Sequence, residues 1–260
     1  MKKIEISKAN EWLSKTEGKL VIKEELFFRG ADLFLNQFSD IHTKIKNCLE
    51  LDLKNLFFYT SKRKNDEFFC NRRIKADSLN RALKSNLSQI ESLKFEVQYN
   101  EGYLIDSPQT GGFDFALYDE LFNINNFRNY CYGKKPLYKG EQTWNKILEA
   151  KPKWDYLVNS NAIPTDEMLG EDNIINKKEP TIIGEIQLGN WALLYYDLLK
   201  TIHIENLLDI DLFIYITPTG DLQEYISDGT VNFNKVKKAI EEYHSILKMP
   251  IWLVGIDINT

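Results

Sequence analysis

The chain has 260 residues, is 43% hydrophobic and 27% charged, and carries 33 basic and 38 acidic residues for a net charge of −5. That composition excludes intrinsic disorder, and no apolar run approaches the roughly 20 residues of a membrane span. Three scattered cysteines, Cys48, Cys70 and Cys131, form neither a disulfide framework nor a zinc site.

Free thiols in a reducing cytoplasm are the expectation, with no membrane partner. Met1-Lys2-Lys3-Ile4-Glu5 lacks the apolar segment of a secretory signal. An acidic total counts only weakly against nucleic acid, because binding needs a local positive face.

In chain order, residues 8 to 54 read as mostly helical, with Ser39-Asp40 starting a helix in which Ile41, Ile45, Cys48 and Leu49 recur at helical spacing. Leu56-Phe57-Phe58-Tyr59 is ambiguous between strand and buried helix. Residues 77 to 91 read as a helix with Asp77 as N-cap and a stripe of Leu79, Leu83, Leu87 and Ile90. The period then changes to two at Phe95-Glu96-Val97-Gln98-Tyr99, a half-buried strand. A turn-rich stretch, residues 106 to 112, leads into a second strand, 113 to 118.

Residues 119 to 180 read as an irregular insertion with some helix near 141 to 150. The last 80 residues alternate clearly. Thr181–Leu188 is a strand. Asn190 to about Leu207 is a helix with Trp191, Leu194, Leu198 and Ile202 on one face. Leu212–Ile216 is a central strand, Asn234–Leu247 a helix, and Ile251–Ile256 a strand. The predicted fold is α/β: a central mixed β-sheet flanked by helices. It is read as one domain, with a helical N-terminal part over about 1–92, a core over about 93–118 and 181–260, and the insertion between them.

Alternation puts Glu185 and Gln187 together on one side of an otherwise apolar strand. A carboxylate there is costly unless it is paired, protonated or bound to a metal. Asp114 is the same oddity in strand 113 to 118, and the preceding Gly111-Gly112 lets the backbone bend or something approach closely. If the two strands pair, Asp114 and Glu185 can meet on one face as hard oxygen ligands for Mg2+. Such an ion activates water and neutralises a phosphodiester. The plainer alternative is that each acid faces solvent or sits in a salt bridge.

The stretch Gly184-Glu185-Ile186-Gln187-Leu188-Gly189-Asn190-Trp191 resembles the second half of the PD-(D/E)xK nuclease signature. Gly111-Gly112-Phe113-Asp114-Phe115 resembles the first. More narrowly, both are similar to type II restriction endonucleases of the BglII and BamHI group, in which the final Lys of the signature is replaced. The strand–helix–strand run from Asp211 through Ile256 also looks like that group.

The resemblance implies a restriction-endonuclease-like core in which Asp114 and Glu185 ligate Mg2+ with the Ile186 carbonyl. Gln187 then stands where most such nucleases carry Lys, holding a water by hydrogen bonds rather than acting as cation or base. The departure is spacing, since Asp114 lies 71 positions before Glu185 (185 − 114). Asp172, 13 positions before it (185 − 172), is the alternative first carboxylate, on a poorer strand pattern.

Basic residues concentrate at Lys62, Arg63, Lys64, Arg72, Arg73, Lys75, Arg81 and Lys84, interleaved by Phe68 and Phe69. They suit phosphate contacts, or equally a solvated helix face. Asn190 suits either a helix N-cap or contact with a base edge or phosphate. Arg128, Lys134, Lys135 and Lys139 in the insertion suit groove contacts or a packing arm.

The implied function is sequence-specific, Mg2+-dependent cleavage of double-stranded DNA. A palindromic site implies a homodimer, with the helix 191 to 206 as one candidate interface. A cognate DNA methyltransferase is expected in the same system, though not as a stable subunit. A repair or mobile-element nuclease of the same fold, or a non-catalytic DNA-binding module on that fold, are the alternatives.

Overall fold

Hydrophobic period decides where this chain makes strands and where it makes helices. The computed structural model describes residues 2–3, 18–53, 56–64, 67–100, 102–106, 112–165, 169–206, 208–226 and 229–259. The elements up to residue 90 are β1 (Lys2–Lys3), β2 (Lys19–Phe28), α1 (Ala31–Gln37), α2 (Ser39–Leu49), β3 (Leu51–Asp52), β4 (Phe57–Lys64), β5 (Glu67–Ile74) and α3 (Ala76–Leu87). Next come β6 (Lys94–Asn100), β7 (Tyr103–Asp106), β8 (Phe113–Leu117), α4 (Glu120–Tyr132), α5 (Gly140–Ala150) and α6 (Pro152–Ser160). The chain closes with β9 (Ile182–Ile186), α7 (Ala192–Glu205), β10 (Leu212–Pro218), α8 (Leu222–Ile226), α9 (Phe233–Glu242) and β11 (Ile251–Asn259).

Two compact units form. The first is Met1–Leu93, Gly184–Lys200 and Leu212–Thr260, and the second is Lys94–Ile183 and Thr201–Asp211.

In the first unit β10 runs parallel to β11, with Phe213 opposite Ile251 and Pro218 opposite Ile256. β11 in turn runs antiparallel to β2, from Ile251 opposite Phe28 to Asn259 opposite Lys19, with a bulge at Gly255/Ile256. Parallel and antiparallel pairs in one sheet make it mixed, as the sequence predicted. Every residue of β10 is buried, and β11 is buried through Ile258, the mark of strands covered on both faces. Trp252 of β11 is fully buried, and its indole N–H donates to Glu25 Oε1 at 3.1 Å. α9 turns Val236, Ala239 and Ile240 inward, and its N-cap Asn232 accepts from Lys235 N at 3.1 Å.

This unit corrects three readings. The helical reading of residues 8 to 54 holds for α1 and α2 but not for β2. Residues 8 to 17 lie outside the described residues. β2 escaped notice because its burial pattern is mostly intermediate rather than alternating, and its partner β11 lies more than 200 positions away in the chain. Leu56–Tyr59 resolves as strand from Phe57, and most of the basic window is a hairpin, with Arg81 and Lys84 on α3. β4 and β5 pair antiparallel, with Lys62 opposite Phe69 and Arg72 opposite Tyr59, in a three-stranded sheet ordered β1-β5-β4. Asp77 lies in the first turn of α3, whose N-cap is Lys75 without a side-chain bond.

In the second unit β6 pairs antiparallel with both β7 and β8. Gly112 is required here by close approach, since a Cβ would lie 2.5 Å from the Val97 carbonyl oxygen on β6. The sequence left room for a close neighbour at the Gly-Gly pair. For Gly112 that neighbour is the adjacent strand, and Gly111 lies outside the described residues.

The insertion is more regular than its sequence suggests, with α4, α5 and α6 packed around an aromatic cluster. Phe127 has its ring centroid 5.1 Å from Trp144, 5.8 Å from Trp154 and 4.6 Å from Tyr103. Asn-rich sequence disfavours helix because the side chains compete for backbone partners. In α4 those partners are supplied from outside. Asn123 brackets the backbone of Leu104, accepting from its N at 2.6 Å and donating to its O at 2.8 Å. Asn125 and Asn129, one turn apart, both donate to the Asn173 carbonyl at 2.8 Å.

Two further groups here are buried rather than functional. Cys131 is 3% exposed, and burial pushes its thiol up to about 12, which disfavours the reactive thiolate. Arg128, a candidate groove contact by sequence, is fully buried and donates to the carbonyls of Pro164 (2.6 Å) and Glu171. It ties α4 to the following loop, as a packing residue. Arg128→Ala removes a fully buried side chain together with its bonds to these carbonyls and is expected to cost about 2–4 kcal/mol. Urea unfolding followed by tryptophan fluorescence measures this, and a loss under 0.5 kcal/mol contradicts the packing role.

Candidate active site

β9 carries the most unusual side chain of the first unit. All of its residues, Ile182–Ile186, are buried, and Glu185 among them is 7% exposed. The cost of burying this carboxylate is met by a lysine. Lys200 Nζ on α7 donates to Glu185 Oε1, and the two side chains are 11% and 10% exposed. Of the three states the sequence allowed for Glu185, the structure shows the paired one.

Lys200 faces a second carboxylate, Asp197 Oδ1, at 3.7 Å. Asp197 Oδ2 accepts from Tyr215 OH on β10 at 3.0 Å and from Gln187 Nε2 at 3.2 Å. Gln187 Oε1 accepts from Gly189 N at 3.0 Å, and its backbone N donates to Ile216 O at 2.9 Å. Glu185, Lys200, Asp197, Gln187 and Tyr215 thus form one network across two strands and a helix. Gln187 has both ends of its amide engaged, and its Nε2 helps to fix Asp197.

Sequence reasoning placed Glu185 and Gln187 together and missed Asp197 and Lys200. A signal existed. α7 buries Leu194 and Leu198 as expected, but Trp191 is 46% exposed and Asp197 is buried in its stead. An acid falling within an apolar stripe, with a lysine three positions on, marks a polar network rather than a surface.

Asn190 is exposed and shows the N-cap behaviour, its Oδ1 accepting from Ala192 N at 3.0 Å. Of the basic window, Lys75 is exposed and Arg73 half-buried, with Arg73 Nη1 3.4 Å from the Glu224 carbonyl oxygen. Lys62, Arg63, Lys64 and Arg72 take their places in the β4–β5 hairpin.

The two candidate first carboxylates belong to the second unit. Asp114 is a half-buried residue of β8, so it sits on regular strand, as its pattern predicted. Just past the end of β8, burial pushes the Tyr118 phenol up, helped by the Asp106 and Glu120 carboxylates, so it stays protonated at neutral pH. Asp172 is exposed and lies in irregular chain, where its Oδ1 accepts from Lys134 N at 3.0 Å and steadies the turn after α4. It lines a polar hollow with Asn129, Lys134, Lys135 and His203.

Among the described residues, no group of three or more His, Cys, Asp and Glu side chains gathers into a metal cluster. Glu185 nevertheless offers hard carboxylate oxygens in a nearly dry site, the donor chemistry a divalent ion takes.

A family model described as restriction endonuclease BglII/BglIII matches residues 23–256. Among solved structures, restriction endonuclease BglII complexed with a DNA 16-mer is similar at 14% identity and a TM-score of 0.44, covering 89% of this chain and 74% of that one. Free BglII is similar at 12% identity and a TM-score of 0.41, covering 89% and 77%. No curated protein sequence matches the chain.

Proposed function

The chain belongs to the BglII/BglIII restriction endonuclease family and is thus a type II site-specific deoxyribonuclease, and we propose that it cuts double-stranded DNA at a short palindrome by Mg2+-dependent hydrolysis. The observation that carries this reading is that the family match spans residues 23–256, most of the chain. A buried carboxylate at the first of the signature's last two polar positions supports it.

In this proposal Asp114 and Glu185, with the Ile186 carbonyl, hold Mg2+. Bound there, the ion lowers the pKa of water and neutralises charge on the scissile phosphate. Gln187 orients, through Asp197 or directly, without supplying charge or basicity. Cleavage leaves 5′-phosphate and 3′-hydroxyl ends. Lys62, Arg63, Lys64, Arg72, Arg73 and Lys75 contact phosphates from the β4–β5 hairpin and the start of α3, and Asn190 reaches DNA from the start of α7. Affinity then falls steeply with salt.

The proposed assembly is a homodimer matching the two-fold symmetry of its site. Trp191, Leu193, Tyr196 and Leu199 are exposed apolar residues at and along α7, a surface larger than single scattered exposures explain. The enzyme is proposed to act in the cytoplasm, alongside a methyltransferase that protects the same sequence.

Digestion of unmethylated plasmid with Mg2+ tests the reading. Discrete bands that vanish with EDTA are expected. A smear, or nicking without sequence preference, contradicts site specificity and favours a repair-type nuclease. Intact plasmid with tight binding favours a non-catalytic module.

A further inference from the structure

Two buried carboxylates, Glu185 and Asp197, both face the ammonium of Lys200. A carboxylate as deeply buried as Glu185 is expensive without a counter-charge, and in the metal-free protein Lys200 provides it. A divalent ion on Glu185 brings positive charge to oxygens that Lys200 already neutralises, so the two cations repel. Lys200 has an alternative. Asp197 Oδ1 is 3.7 Å from its Nζ, and Asp197 is itself fixed through its other oxygen by Tyr215 OH at 3.0 Å and Gln187 Nε2 at 3.2 Å. A long, flexible lysine can shift between such neighbours at little cost.

We infer that Lys200 is a built-in counter-ion for Glu185, a positioning residue that holds this carboxylate in the metal-free protein and moves toward Asp197 when a divalent ion binds. The inference rests on the proposed function in taking Glu185 as a metal ligand. It assigns Gln187 and Tyr215 a part as well, that of keeping Asp197 ready to receive the displaced ammonium.

A resident competitor weakens metal binding, so its removal strengthens it. Lys200→Met and Lys200→Gln are expected to bind Mn2+ about tenfold more tightly than the wild type, by calorimetric titration without DNA. Lys200→Arg, which keeps the charge, is expected to bind Mn2+ no more tightly than the wild type. The neutral variants melt lower than the wild type without metal and gain more on adding Mn2+. Two neutral variants are used so that failure of one to fold leaves the other decisive.

Unchanged or weaker Mn2+ affinity in the folded neutral variants overturns the inference. A wild type that cuts plasmid while those affinities stay unchanged sinks the inference alone. Tighter Mn2+ binding in the variants of a protein that never cuts DNA sinks the nuclease reading alone.

Discussion

Glu185→Gln is expected to reduce Mg2+-dependent plasmid cleavage by about a thousandfold, equivalent to about 4 kcal/mol of lost transition-state stabilisation. Glutamine keeps the shape and one acceptor oxygen for Lys200 but removes the charge that a divalent ion needs. The substitution also takes the nearer carboxylate charge from Lys200, with Asp197 Oδ1 at 3.7 Å. Because both partners are nearly buried, some stability is lost too, about 1–3 kcal/mol. Melting curves and DNA binding with Ca2+ in place of Mg2+ separate the two effects. A folded, DNA-binding Glu185→Gln that still cuts at the wild-type rate removes Glu185 from the proposed metal site.

The second large effect is expected at Asp114. Asp114→Ala should lower cleavage by a similar factor, about a thousandfold, whereas Asp172→Ala should leave cleavage within about threefold of the wild type. The difference follows from what each side chain does. Asp172 accepts a bond from the Lys134 backbone in an exposed turn, so its loss costs about 1 kcal/mol of local stability. Asp114 stands on β8, a regular strand whose neighbours Phe113 and Phe115 are buried. Loss of cleavage in Asp172→Ala with full activity in Asp114→Ala transfers the first-ligand role to Asp172.

Legibility in the sequence followed the strength of the periodic signal. From β9 to β11 every element but the short α8 appeared about where expected, because runs such as Leu212–Ile216 and Ile251–Ile256 admit one reading when helices lie between them. β2 was illegible because nothing local distinguishes ten mixed residues as a strand; pairing with β11 does, and that pairing is remote. α4 was hidden by Asn123, Asn125, Asn126 and Asn129, whose poor helix propensity is offset by bonds to Leu104 and Asn173. At the site, alternation along β9 was enough to single out Glu185 and Gln187. Their partners Asp197 and Lys200 belong to a helix, and only its packing brings them to the strand. Motif reasoning stops at the strand's end and could not reach them.

The central claim is that Asp114 and Glu185 together hold one divalent ion. Crystals soaked with Mn2+ and measured at the manganese absorption edge test it most directly, since the anomalous signal locates the ion without reference to activity. The account predicts one strong peak within about 2.0–2.6 Å of a carboxylate oxygen from each of the two residues. A peak touching only one of them, or ions bound at Asp172 and not at Asp114, contradicts it.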